Sequence, residues 1–205
     1  MLGVPLPALT EDGIEVTFGV NHLGHFYLTK LLMETLVKSK ARVINISSDA
    51  YKLPKPEEFT VEIFEGDNPR IAQPDNKPQG MVHDLHKYGD SKLCNVYFTK
   101  ELVVRHPELQ SVSLHPGTIL TNIQRHWRDH TRGVMFMRCF SWMMKSPEIG
   151  SKTTLYCCKA DIRGQHNVFF KKQMTQELGP VAQNDDVQVA LWECSEKLVK
   201  QLEKE

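Results

Sequence analysis

Two residues four apart raise the question of chemistry: Tyr88 and Lys92, in the stretch KYGDSKLCN at 87–95. A tyrosine phenol gives up or takes on a proton, and a lysine ammonium beside it favours the ionised phenolate. On a helix, side chains four positions apart are neighbours. The chain holds a second such pair, Tyr51 and Lys55 in YKLPK. Pro54 stands between its members and disfavours a helix there, so that pair need not share a face. The Tyr88 pair has no such break. It lies in LHKYGDSKLCNVYFTKELVVRH, a run of mostly good helix formers whose next proline is Pro107. Spacing by itself fits two surface residues on one helical face more readily than half of an active site.

The elements that must position the pair can be read from the pattern around it. TEDGIEVTFGVNHLGHFYLTKLLMETLVKS (10–39) predicts a long helix, with Thr10 as N-cap and Glu11 and Asp12 in its first turn. Gly19 and Gly24 weaken that helix by up to ~1 kcal/mol each relative to alanine. ARVINIS (41–47) reads as a buried strand. Residues 49–84 contain Pro54, Pro56, Pro69, Pro74 and Pro78 and predict a long proline-rich excursion inside a single domain, 1–205. The Tyr88 helix carries Leu93, Cys94, Val96, Tyr97, Phe98, Leu102 and Val104 over a wide arc. That arc predicts burial on two sides, one against a sheet and one against a partner subunit. SVSLHPG (111–117) is a second strand ended by Pro116–Gly117. An aromatic and methionine-rich segment (127–144) fits a substrate lid, a membrane-touching patch or plain core packing. A helix from about 147 to 160, a short strand NVFF (167–170) and a last helix from about 186 to 202 complete the chain.

Strands alternating with helices predict an α/β fold with a parallel sheet covered on both faces. Ligands of such sheets lie beyond the carboxyl ends of the strands. Chemistry is therefore expected just after RVINIS, where Ser47 and Ser48 stand, and just after SVSLH, where Pro116, Gly117, Thr118 and Thr121 follow. Asn21, in VNHLGHF on the first helix, adds an amide. Each of these also has a plain reading: serines and Pro-Gly at strand ends make turns, and an asparagine in a helix marks a kink or a surface.

Composition narrows the function classes. The 205 residues are 40% hydrophobic and 24% charged, with 25 basic and 25 acidic side chains. No basic excess points to nucleic acid or an acidic membrane surface. Five cysteines without a CxxC predict reduced thiols. No apolar run approaches the ~20 residues of a membrane span, and no signal-peptide pattern opens the chain, so the cytoplasm is the expected location. His22/His25, His83/His86 and His126/His130 have spacings that suit a metal, but no HExxH accompanies them, and solvated or core histidines are the expectation.

Asn21 in NHLGHF, Ser48 closing VINISS, Tyr88 and Lys92 in YGDSKLCN, and HPGTILTN (115–122) follow one another at the expected sheet positions. Together they resemble the short-chain dehydrogenase/reductase superfamily and, within it, the retinol dehydrogenase-like and WW-domain oxidoreductase groups. The resemblance runs over nearly the whole chain. It implies a Rossmann-type doubly wound fold and NAD- or NADP-dependent hydride transfer to or from a lipophilic alcohol or carbonyl, such as a retinoid or steroid. Tyr88 is implied as the general acid in reduction and the base in oxidation. Lys92 is implied to lower the phenol's pKa and to hold the nicotinamide ribose, Ser48 to bind the substrate oxygen, and Asn21 to hold a water linking Lys92 to solvent. Pro116, Gly117, Thr118 and Thr121 are implied to hold the carboxamide end of the nicotinamide. A free phenol titrates near ~10, so work at pH 7 needs a shift of about three units, much of it expected from Lys92.

The resemblance is incomplete. The chain has twelve glycines, no two closer than five residues apart, so the glycine-rich turn that cradles the pyrophosphate is missing. This implies the C-terminal, catalytic part of the fold, N-terminally truncated, with 42–47 as a raw sheet edge. Two expectations follow: an oxidoreductase, or a non-catalytic form acting through protein–protein binding. In either case a homo-oligomer or pairing with a full-length relative is expected, and NAD(P)H binding by this chain alone is expected to be weak.

Overall fold

The computed structural model describes residues 9–74, 80–117, 119, 146–162, 164–165 and 169–204. The first helical region is α1 (Val16–Phe18), a π-helical turn (Gly19–Leu23), α2 (Gly24–Leu31) and α3 (Met33–Ser39). After it come β1 (Arg42–Ile46), α4 (Met81–Arg105), β2 (Gln110–His115), α5 (Pro147–Lys159), β3 (Phe169–Lys171), β4 (Met174–Gln176) and α6 (Asp185–Leu202). The sheet order is β1-β2-β3-β4, with the first three strands parallel and β4 antiparallel to β3. The expected α/β architecture is present, with helices on both faces.

Strand alternation sorts the two faces. Val43 and Phe169 join the cluster that includes α4 and α6, and Asn45 Nδ2 donates to Thr99 Oγ1 on α4 at 2.9 Å. Ile44, Val112, Leu114 and Phe170 pack with Cys157 and Ile162 on the other face, beside α5. Ser111 and Ser113, buried between these apolar positions, give α4 a low-profile seat on β2. Arg42 sets the direction of α5. Its guanidinium donates to the carbonyls of Cys157 (2.7 Å) and Ala160 (3.0 Å), and Nε donates to Gln110 Oε1 (2.9 Å). A cation at the carboxyl end of a helix satisfies its last carbonyls and complements its dipole. That end of α5 is thereby fixed at the start of β1.

Several boundaries differ from the sequence reading. The first helix begins at Val16, not Thr10. Thr10 instead closes a tight turn, accepting from Ile14 N, and Glu15 is the N-cap, its carboxylate accepting from Thr17 N and Phe18 N. Gly19 and Gly24 bracket the π turn, and Gly24 N donates to Gly19 O. Residues 49–74 are no loose excursion. Three 3-10 turns and the residues beside them bury Tyr51, Phe59, Ile63, Phe64 and Ile71. Strand β4 was not expected. It follows a two-residue hairpin in which Lys172 and Gln173 both take positive φ, a conformation that sequences usually announce with Asn-Gly. Residues 167–168 of the expected strand NVFF lie outside the described residues, as do Thr118, Thr121, His126, His130 and 127–144.

Helix α4 is buried all round from Ser91 to Thr99. One side meets β1 and β2; the others meet the π turn, the Asp49–Lys52 turn and α6. The chain's own last helix covers much of the wide apolar arc expected to meet a partner subunit, while Val104 stays exposed. Arg105 stacks over Trp192 at 4.9 Å and pairs with Glu101, which accepts from Gln188 Nε2 on α6 at 2.7 Å. Among the described residues β1 pairs only with β2. Ala41 O and Ser47 N serve that ladder, so the backbone groups of Arg42, Ile44 and Ile46 point to the opposite side. No helix among the described residues is long and apolar enough to cross a membrane.

Gly89 marks the closest approach of α4 to the chain after β1. A methyl group there meets Ala50 O at 2.7 Å, whereas one at Gly24 meets only Gly19 O at 3.4 Å. Gly89→Ala is expected to destabilise the protein by ~1–3 kcal/mol despite alanine's better helix propensity, and Gly24→Ala to leave stability unchanged or raise it by up to ~1 kcal/mol. Chemical denaturation midpoints of the two variants check this.

Candidate active site

Strand β1 ends at Ile46, and Ser47 still belongs to the ladder, its N–H donating to Leu114 O at 2.8 Å. Ser47 Oγ donates to Lys92 O at 2.7 Å, which anchors α4 to the strand end. Ser48 is extended and caps the next turn, its Oγ accepting from Ala50 N at 3.2 Å. That turn presses on α4 at Gly89 and brings the Ser48 hydroxyl into hydrogen-bonding reach of the Tyr88 phenol. Lys92 lies one turn further on, with Nζ 5.6 Å from the centroid of the Tyr88 ring and donating to Ile46 O at 3.1 Å. Three of the expected groups, Ser48, Tyr88 and Lys92, thus meet at the carboxyl end of β1.

Asn21 sits in the π turn, 5% exposed. Its side chain donates to Ser91 Oγ at 3.0 Å, and Ser91 Oγ donates in turn to Tyr88 O at 2.8 Å. Asn21 therefore reaches the site through the backbone of the Tyr88 turn. Its own carbonyl accepts from Asn95 Nδ2 at 2.9 Å. Pro116 and Gly117 follow β2 and line a cavity of about 260 Å³ with Asp49, His115 and Lys171. Gly117 has φ 104°, a backbone that L side chains rarely adopt. Asp49 pairs there with Lys171 at 2.6 Å. The decoy pair separates as expected: Tyr51 is fully buried with its phenol oxygen accepting from Gly179 N, while Lys55 is exposed and paired with Glu58.

Burial raises the Tyr88 pKa above its ordinary value, opposed only by the hydrogen bond from Ser48. Lys92 is perturbed as well. Its own pKa is pushed down to about 8 by burial, and its ammonium stands over the ring face with a carbonyl as acceptor. In the ligand-free protein the pair is thus a neutral phenol beside a reluctant cation. A group that sequence reasoning missed is Asp90, whose carboxyl burial drives up to about 7 against the pull of Lys87 and His83. Nothing in an isolated Asp on a polar helix turn signals this; it follows from the packing of Glu15 and its neighbours onto α4. Among the described residues no group of three or more His, Cys, Asp or Glu is placed to hold a metal ion.

No family model matches the chain. Individual relatives do. The chain is 36% identical over 199 residues to the WW domain-containing oxidoreductase of Pongo abelii and 38% identical over 197 residues to retinol dehydrogenase 14 of Mus musculus. These alignments take in 95% and 93% of the chain. The chain is thus similar over nearly its whole length to proteins named as an oxidoreductase and a retinol dehydrogenase. It spans about half the length of these curated relatives, 46% and 54%. Among solved structures, an uncharacterized protein from Mycobacterium paratuberculosis superposes with a TM-score of 0.65 at 28% identity, over 98% of this chain and 64% of that one. The KRED1-Pglu enzyme, at 18% identity and a TM-score of 0.52, shares the fold.

Two titrations test this electrostatic description. In ligand-free protein, the difference in ultraviolet absorption between wild type and Tyr88→Phe is expected to show Tyr88 ionising above the ordinary 10.0; a midpoint below that value contradicts the account. A carboxyl with a raised folded pKa holds its proton more tightly folded than unfolded. Asp90 therefore destabilises the fold as pH rises from about 4 to about 7, with no further change above. Asp90→Asn is expected to be neutral at pH 4 and to stabilise by ~1–3 kcal/mol at pH 8, as read from paired denaturation curves.

Proposed function

We propose that this chain carries the proton-transfer and substrate-binding part of an NAD(P)-dependent oxidoreductase acting on a lipophilic alcohol or carbonyl. The observation that carries the reading is the meeting of the Ser48 hydroxyl, the Tyr88 phenol and the Lys92 ammonium at the carboxyl end of β1. The names of the relatives, an oxidoreductase and retinol dehydrogenases, support it. The residues fit the nicotinamide end of such a cofactor. The Lys92 ammonium makes a single hydrogen bond among the described residues, which leaves N–H groups for a ribose hydroxyl, and the Gly117 backbone lets a flat ring approach closely. For the pyrophosphate the sequence offers no glycine-rich turn. When bound, the nicotinamide supplies or accepts the hydride.

The chain's own part is the proton. In reduction the Tyr88 phenol hands its proton to the substrate oxygen, while Ser48 donates a hydrogen bond to that oxygen as charge builds on it. The Tyr88 phenol, its pKa raised by burial, is protonated at neutral pH, which suits the acid role in reduction. Oxidation needs the phenolate and so gains with rising pH. Lys92⁺ over the ring eases formation of the phenolate once a ligand confines it.

Tyr88→Phe is expected to cut turnover of lipophilic aldehydes and ketones at least 100-fold with cofactor affinity within about twofold, since the phenol contributes a proton and little binding. Lys92→Met is expected to harm both rate and cofactor binding, and Lys55→Met neither. Substantial turnover by Tyr88→Phe sinks the assignment. A second reading rests on the outward edge of β1, which has no ladder partner among the described residues: a non-catalytic form that acts through protein–protein contacts. Fluorescence titration of the purified chain with NADH and NADPH, with light scattering on the same sample, separates the two. A chain that binds no nucleotide and self-associates supports the second reading, and a monomer with micromolar nucleotide affinity supports the first.

A further inference from the structure

Behind Lys92 runs a buried polar chain that the proposed proton transfer does not use. His22, on the π turn, is fully buried. Its Nδ1 lies 3.4 Å from Asn95 Oδ1 and its Nε2 lies 2.9 Å from Ser195 Oγ on α6. Asn95 uses both amide protons on carbonyls, donating to Asn21 O at 2.9 Å and Ile46 O at 3.3 Å. Its oxygen is therefore left to accept, and the donor facing it is His22 Nδ1–H. Nε2 then accepts from the Ser195 hydroxyl, which otherwise donates only to Leu191 O inside α6. The opposite tautomer sets two acceptors against each other. Burial agrees with a neutral ring, holding the His22 pKa down to about 3. The rings of Phe18, Phe26 and Phe98 surround the imidazole at 5.2–6.1 Å, so it has no water to turn to.

The chain ends on the Ile46 carbonyl, on which the Lys92 ammonium also rests. Ile46 points its backbone away from β2, so no ladder bond fixes this carbonyl among the described residues. What fixes it is the Asn95 amide, and what fixes the amide is His22 braced by Ser195. We propose that Asn95, held by His22 and Ser195, is a positioning residue for Lys92: it orients the Ile46 carbonyl that sets where the ammonium stands, and so couples the site to α6. The functional weight of this coupling rests on the reading of Lys92 as the cation of the site. The contacts themselves do not.

The ammonium reports on itself. In ¹⁵N-labelled, ligand-free protein near pH 6, the Lys92 side-chain NH₃⁺ is expected to give a slowly exchanging signal, assigned by its loss in Lys92→Met. Asn95→Ala is expected to speed that exchange at least tenfold, and Ser195→Ala, which removes one hydroxyl at the far end, about two- to threefold. Leu102→Ala, a core truncation on α4 away from the chain, serves as a control for general loosening and is expected to leave the rate unchanged. A folded Asn95→Ala with the wild-type rate overturns the proposal. Should that variant not fold, a folded Ser195→Ala with the wild-type rate overturns it instead, and so does a Leu102→Ala that speeds exchange as much. No turnover is needed, so loss of the oxidoreductase reading leaves this result standing. Conversely, an unaltered ammonium together with an inactive Tyr88→Phe removes only the positioning role.

Discussion

The closeness of α4 to the end of β1 is the constraint on which the site depends. Three contacts set it: Ser47 Oγ on the Lys92 carbonyl, Asn45 on Thr99, and the Ala50 carbonyl against Gly89. Each uses a small or polar residue where a larger apolar one holds helix and strand apart. Ser111 and Ser113 do the same on β2. The seam between helix and sheet is therefore polar and tight, while the apolar clusters lie to either side of it. Side chains on such a helix have little freedom, and Tyr88 and Lys92 inherit their geometry from backbone contacts.

The cost of that geometry falls on charge. A buried ammonium and a half-buried carboxyl on one helix, Lys92 and Asp90, both have pKa values displaced toward their neutral forms. Folding tolerates this because hydrogen bonds to the charged form partly offset desolvation, and Lys92 has a carbonyl for that purpose. Tyr88, partly buried, shows the same displacement, a phenol kept neutral until something stabilises its anion.

Helix α6 joins this arrangement through two kinds of contact. Apolar packing of Trp192 against Phe26 and Phe98 supplies the bulk of the attachment. Ser195 and Gln188 add direction, reaching His22 and Glu101 with bonds that only one register of α6 permits. Tyr97 and Tyr51 bind the segment before α6 by their hydroxyls, Tyr97 donating to Val181 O at 2.6 Å and Tyr51 accepting from Gly179 N.

The strand–helix alternation, the two strand ends where polar groups gather, and the pairing of Tyr88 with Lys92 were all legible in the sequence, because they depend on local periodicity and on proline. The separation of that pair from Tyr51 and Lys55 was legible too, since Pro54 is a local fact. Long-range burial governs the rest, and it leaves no local trace. Thr10 is an adequate cap by its type, yet Glu15 caps the helix because its carboxylate reaches Thr17 and Phe18 while its backbone bonds Ala72. Strand β4 has no apolar alternation to announce it and exists because Phe169 and Phe170 present an open ladder to Met174–Gln176. The apolar arc on α4 could be read from its own residues, but not what fills it. Helix α6 lies far along the chain from α4, and periodicity within one helix carries no information about which distant element will pack against it.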